Sequence, residues 1–222
     1  MPRTLHKPAG LTVFPPHRDA AGDCLLARLL DEEPARAALD WPEGFAGGIA
    51  HRLDTSTSGA VVVADDPTEL EWLRSLFTAH RLVKTYRLLA ARSVPWDHNR
   101  CTRPIAHARR RRGRMVVQRG RATAHRGRWY PAETSFQRLG GDLFQARMST
   151  GVMHQIRVHA AFLGIPLVGD RVYGGGDPPP HAPEGVVFFL HHVGLRGPEG
   201  FQSAPVPLPA WAEVPLRERG DR

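Results

Sequence analysis

The chain has almost no cysteine and almost no lysine. Cys24 and Cys101 are the only thiols in 222 residues, which is neither a disulfide framework nor a zinc ligand set, so two reduced thiols are expected. No uncharged apolar run reaches the roughly 20 residues a membrane-spanning helix needs, and Met1-Pro2-Arg3-Thr4-Leu5-His6 lacks the apolar stretch of a signal peptide. These absences set the expectation of a soluble, cytoplasmic protein with no membrane association. His154, His159, His191 and His192 lack both the spacing of a closed ligand set and acidic partners beside them, so no metal is expected either. No internal repeat appears.

Lysine is confined to Lys7 and Lys84, so the net charge of +8 rests almost wholly on arginine. The guanidinium fork grips phosphate bidentately and lies flat on a base, which favours nucleic acid over an acidic metabolite as partner, although codon usage also produces such a bias. Distribution says more than the total. Residues 98–132 contain no Asp or Glu beyond Asp97, yet hold Arg100, Arg103, Arg109, Arg110, Arg111, Arg112, Arg114, Arg119, Arg121, Arg126 and Arg128. The segment reads as a basic insertion or loop. Even a solvated loop without counter-charge attracts a polyanion, and Arg109, Arg110, Arg111 and Arg112 are the expected phosphate contacts.

With 41% hydrophobic residues, a chain of this length can bury one substantial core, so residues 1–222 are read as a single domain. Asp23 to Glu33 predicts a short helix with Leu25, Leu26, Leu29 and Leu30 on one side. Asp66, Pro67 and Glu69 form a capping signature for a second helix running to about His80. Lys84 to Ala91 alternates as a half-buried strand with Tyr86, Leu88 and Ala90 on one face. Strands are also expected at Met115–Gln118, Glu133–Leu139, Leu143–Ser149 and Val186–Leu190, with Gly140-Gly141-Asp142 as a hairpin turn. Met153 to Leu163 has helical spacing, and the Pro-rich remainder reads as an irregular tail.

The stretch that carries chemistry is His51-Arg52-Leu53-Asp54-Thr55-Ser56-Thr57-Ser58-Gly59, followed by the apolar run Ala60-Val61-Val62-Val63-Ala64. One carboxylate stands among hydroxyl residues and a glycine, beside an Arg, just ahead of a buried strand. Asp54 is then either a turn residue or a placed reactive group. The pattern HRLDxxTSG resembles the one around the nucleophile of pseudouridine synthases of the RluA class. Three further segments extend the resemblance: Lys7-Pro8-Ala9-Gly10-Leu11-Thr12-Val13, Arg81-Leu82-Val83-Lys84-Thr85-Tyr86, and Ser149 to His159 continuing through Gly164 to Gly174. One position departs, Val152 standing where the family usually has Arg after Thr-Gly. The likeness is to the short members that lack an N-terminal S4 RNA-binding module.

The resemblance implies an α+β fold, a mixed and largely antiparallel sheet flanked by helices. It also implies isomerisation of a uridine in ribosomal or transfer RNA without cofactor, by a monomer. Asp54 matches the nucleophile, Tyr86 the active-site aromatic, and Arg157 the cation paired with the aspartate. His51, Arg52, Thr57, Lys84, His154 and Gln155 fall in the matching motifs as RNA or substrate contacts. A carboxylate suits displacement at a sugar carbon, an Arg orients it, and a Tyr can stack on the base or help move its C5 proton. Taken singly, Tyr86 fits a core aromatic and Arg157 a boundary ion pair. Two other functions stay open: an RNA-binding or ribosome-assembly factor on the same scaffold without catalysis, and a metal-dependent phosphoesterase using Asp54.

Overall fold

The structure, a computed structural model, describes residues 2–15 and 22–213. The strands are β1 (Arg3–Lys7), β2 (Ser58–Val63), β3 (Val83–Leu89), β4 (His98–Cys101), β5 (Ile105–Ala108), β6 (Met115–Val117), β7 (His125–Tyr130), β8 (Thr134–Gly140), β9 (Leu143–Met148) and β10 (Leu190–Arg196). The helices are α1 (Leu25–Glu32), α2 (Pro67–Thr78) and α3 (Gln155–Phe162). Seven strands form one sheet in the order β1-β2-β10-β3-β9-β8-β4, and three form a second in the order β6-β5-β7. Every pairing in the large sheet is antiparallel except β2 with β10. The expected α+β class and mixed sheet are what the structure has.

The run Val61-Val62-Val63 explains the layering. All three are fully buried, because alternate side chains of β2 leave on opposite faces and both faces are covered. Val61 and Val63 join Leu25 and Leu29 of α1 and Ile156 and Ala160 of α3 in one core. Val62 joins Leu70 and Leu73 of α2 on the other side. Helix α2 starts as its sequence dictates, Asp66 accepting from the Glu69 N–H at 2.8 Å while the Glu69 carboxylate takes the Asp65 N–H. Helix α1 has a less usual cap: Cys24 Sγ accepts from the Ala27 N–H, so this buried thiol has a structural task.

Two expectations are corrected here. The basic segment is not an open loop. It supplies β4 at the edge of the large sheet and all of the second sheet, and β6 packs on α3 through Met115, Val117 and Val158. Only the turn joining β5 to β6 carries Arg109, Arg110, Arg111 and Arg112, all four exposed. The second correction concerns Val186–Leu190, where the strand begins at Leu190. The Val186 N–H closes a turn on the Pro183 carbonyl, and Phe188 and Phe189 are apolar because they pack, not because they pair in a ladder. The Pro-rich tail is irregular through Glu213 apart from one 3-10 turn at Ala210–Ala212; its remainder lies outside the described residues.

Candidate active site

Asp54 sits in the tight connection leading into β2, and its backbone is fixed from three sides. Leu53 is buried in the core, and the Thr57 N–H closes a turn on the Asp54 carbonyl at 2.9 Å. Lys7 secures the next residue. Its ammonium is fully buried and donates to the carbonyls of Leu11 (2.6 Å), Pro8 (2.9 Å) and Thr55 (3.0 Å), so each of its three N–H groups has an acceptor. Burial lowers this lysine to about 8, opposed by the charge of Asp54. Beyond the turn, Gly59 has φ +122°, and a Cβ there would lie 2.1 Å from the His192 carbonyl oxygen. Only glycine admits so close a parallel approach of β10 to β2.

With its backbone held, the Asp54 carboxylate remains 38% exposed and faces helix α3. Its Oδ2 lies 3.7 Å from Nη1 of Arg157 and 3.9 Å from Nε2 of His154. Arg157 is itself tightly gripped. Its Nε and Nη2 donate to the two oxygens of Asp170 at 2.7 and 2.9 Å, and its plane lies between the rings of Phe188 (4.2 Å) and Tyr173 (5.1 Å). Burial works against this cation, but Asp170 and then Asp54 more than offset it, and its pKa is raised. The Nη1 group turned to Asp54 is thus the one part of the fork not committed to Asp170.

Tyr173 links this pair to His154. Its hydroxyl accepts from the Met115 N–H at 2.9 Å, which leaves its single proton free for Nδ1 of His154 at 3.0 Å. That assignment puts the N–H of His154 on Nε2, the atom turned to Asp54. Burial, and next the charge of Arg157, lower the pKa of His154, so the ring approaches Asp54 as a neutral dipole. His154 occupies the left-handed region, with φ +56°, immediately before α3. A non-glycine residue held there is strained, and this one is held by Tyr173.

Tyr86 is buried on β3, its ring 4.5 Å from that of His192. Burial first, and the charge of Asp54 second, raise its phenol well above the ordinary tyrosine range. It is a ring surface beside the carboxylate and not a titrating base.

The structure therefore brings together Asp54, Arg157, His154 and Tyr86, and leaves Arg52 exposed next to them. Four other expected contacts are corrected. His51 lies packed against Phe77 and His192, where its Nε2 accepts the Val62 N–H. Thr57 is buried at 2% exposure. The Gln155 amide is wholly consumed in joining α3 to the β7–β8 connection, its Oε1 accepting from Thr150 and Val152 and its Nε2 donating to Glu133 and Thr134. Lys84 donates to the Thr150 carbonyl at 2.7 Å and lies over the Phe77 ring, and burial lowers it to about 8. Each holds the frame. The expected Arg157–Asp54 pairing also gains a stronger competitor in Asp170. Sequence reading assigns no role to Lys7, Asp170 or Tyr173, although Lys7 opens one matched motif and the other two close another. Among the described residues no group of His, Cys, Asp and Glu could hold a metal ion.

Residues 4–162 match the family described as RNA pseudouridylate synthase. A protein from Chloroflexus aurantiacus, named an uncharacterized RNA pseudouridine synthase, is 35% identical over 98% of this chain and 66% of its own length. A ribosomal large subunit pseudouridine synthase D from Nitrosomonas europaea is 34% identical over 82% of this chain and 50% of its own. The solved structure of human RNA pseudouridylate synthase domain containing 1 superposes with a TM-score of 0.65 at 25% identity, over 91% of this chain and 86% of that one. The chain thus spans between half and about two thirds of the length of these two curated relatives.

Proposed function

The chain belongs to the RNA pseudouridylate synthase family, and from that premise we propose that it converts a specific uridine of structured RNA to pseudouridine with Asp54 as nucleophile. The conversion breaks the bond from C1′ to N1 and forms one from C1′ to C5. The proton lost from C5 is balanced by one gained at N1, so nothing enters or leaves overall and no cofactor is required. A target carbon of this kind is unreachable inside a stacked helix, so the uridine is extruded, with Arg52 at the rim occupying the space it leaves.

The observation that carries this reading is Asp54 itself: a carboxylate with a fixed backbone and an open side chain, aimed past a cation that a second acid has already locked in place. Such an arrangement loses little on meeting substrate, because Arg157 and His154 are positioned before RNA arrives. Tyr86 provides the ring on which the uracil stacks as it turns; with its phenol held protonated, it leaves proton removal from C5 to another group or to water. The exposed arginines at 109–112 engage phosphates away from the reaction. Relatives named for the large ribosomal subunit favour ribosomal over transfer RNA as substrate. On this reading the enzyme works in the cytoplasm, as a monomer, on nascent or assembling ribosomes.

The test is Asp54→Asn. Tritium release from RNA labelled at uridine C5 should fall to background, while affinity for the same RNA holds or improves slightly with one negative charge gone. Turnover above a trace in this variant overturns the nucleophile assignment, and a wild type that releases no tritium from any RNA overturns the activity.

A further inference from the structure

A cavity of about 240 Å³ lies between β6 and α3, and nothing in the chemistry above uses it. Its walls are apolar along Met115, Val117, Val158 and Phe162, and two guanidinium groups border it. Arg119 lies over the Phe162 ring at 5.6 Å and Arg114 over the Tyr173 ring at 5.7 Å. Neither is paired with an acid among the described residues, and the Nε of Arg114 is buried with no acceptor in reach. A guanidinium N–H left unsatisfied out of water is costly, and a bound acceptor removes that cost. Aromatic and apolar walls beneath two unneutralised arginines suit a ligand that is flat at one end and anionic at the other.

We propose that this cavity receives one nucleotide of the substrate RNA other than the reacting uridine, with its base against Phe162 and Val158 and its phosphate on Arg114 and Arg119. The proposal rests on RNA being the substrate. Two features choose a nucleotide within an RNA over a free metabolite. The cavity continues directly from the exposed arginines 109–112, since Arg114 follows them on the same hairpin, so a strand whose phosphates lie on that turn is led to it. It also shares a wall with the reaction centre, because the Tyr173 ring that borders it bears Arg157 on its face and His154 on its hydroxyl. It contains no carboxylate, so it is a reading pocket and not a second reaction site.

The experiment uses RNA in which the wild type forms pseudouridine. Ala161→Trp, whose indole fills the cavity from α3, and separately the pair Arg114→Gln with Arg119→Gln, should each raise KM roughly ten- to hundredfold, the loss expected for one stacked base, with kcat at saturating RNA unchanged. Ultraviolet crosslinking of the wild-type complex should leave a nucleotide adduct on a peptide holding Phe162 or Tyr173, and the adduct should vanish in Ala161→Trp. Melting curves identify a variant that fails to fold, in which case the arginine pair decides. Turnover with an unchanged KM in the arginine pair, or without an adduct at the cavity, overturns the proposal and leaves the activity standing. An adduct at the cavity in a protein that forms no pseudouridine does the reverse.

Discussion

Asp170→Asn changes one atom in the interior and tests the frame of the site. Asp170 is 1% exposed and Arg157 7%, so solvent screening gives no relief when the charge is removed. Deleting one partner of a buried ion pair costs about 3–5 kcal/mol, because the remaining charge is left uncompensated. The low end applies here: Asn keeps one oxygen for one arm of the fork, and Asp54 offers Arg157 a second carboxylate 3.7 Å away. About 3 kcal/mol in a domain of this size corresponds to a melting temperature lower by roughly 6–12 °C. Arg157 should also swing towards Asp54, drawing the carboxylate into a direct salt bridge and away from its reacting position, so kcat falls while RNA affinity holds. Melting by circular dichroism and single-turnover tritium release measure the two effects. A melting temperature within about 2 °C of wild type together with normal turnover would show that Asp170 does not set the position of Arg157. A double-mutant cycle with Arg157→Lys should give a coupling energy above about 0.5 kcal/mol, as expected for groups that touch.

Three further outcomes are expected. Arg157→Lys should lose most of the rate, since an ammonium cannot hold both Asp170 oxygens and still turn a donor to Asp54; near-normal turnover in a stably folded variant would return Arg157 to a purely structural role. Replacing Arg109 to Arg112 with Gln should flatten the plot of log K against log salt by about 0.7–0.9 for each phosphate the turn no longer neutralises, with the saturating single-turnover rate intact; an unchanged slope would mean the turn does not touch RNA. Lys84 has its folded pKa lowered to about 8, so between about pH 8 and 10 the unfolded chain holds a proton that the folded one has shed, and stability rises with pH across that window. Urea denaturation at both ends of the window should show this rise diminished in Lys84→Met, and an equal rise in the variant would contradict the lowered pKa.

The parts of the fold legible in the sequence are those whose signals are local. Asp66-Pro67-Thr68-Glu69 announces its own helix start, the hairpin at Gly140-Gly141-Asp142 its own turn, and the run at residues 60–64 its burial on two faces. The strands that stay hidden are those whose polarity misleads. His98–Cys101, Ile105–Ala108 and His125–Tyr130 are crowded with arginine and histidine because they lie at sheet edges or in the small sheet, with a face to solvent. Strand β10 is hidden because His191 and His192 read as polar, yet both are fully buried, His191 bonding to Ser58 and His192 to the Ala60 carbonyl. In the site, Asp54 is visible as an acid with no local partner. The Arg157–Asp170 pair is not, since it joins a helix to a turn 13 residues on with no periodic pattern to connect them. His51, Thr57, Lys84 and Gln155 mislead for a related reason: a motif marks where the chain is constrained, and burial decides whether the constraint serves contact or framework.

The position of β10 bears on how the protein is made. This strand lies between β2 and β3, so the half of the sheet that carries Asp54 and the half that carries Tyr86 have no shared neighbour until residues 190–196 leave the ribosome. Until then each half shows a bare edge to the other and to any passing strand, and the carboxylate and the ring belong to separate pieces. Activity therefore arises after synthesis of the sheet is complete, in one late insertion that spans most of the chain and is slow for that reason. A Gly59 substitution that keeps β10 out should consequently appear as a failure of nascent chains to become soluble, well before any loss of turnover could be measured.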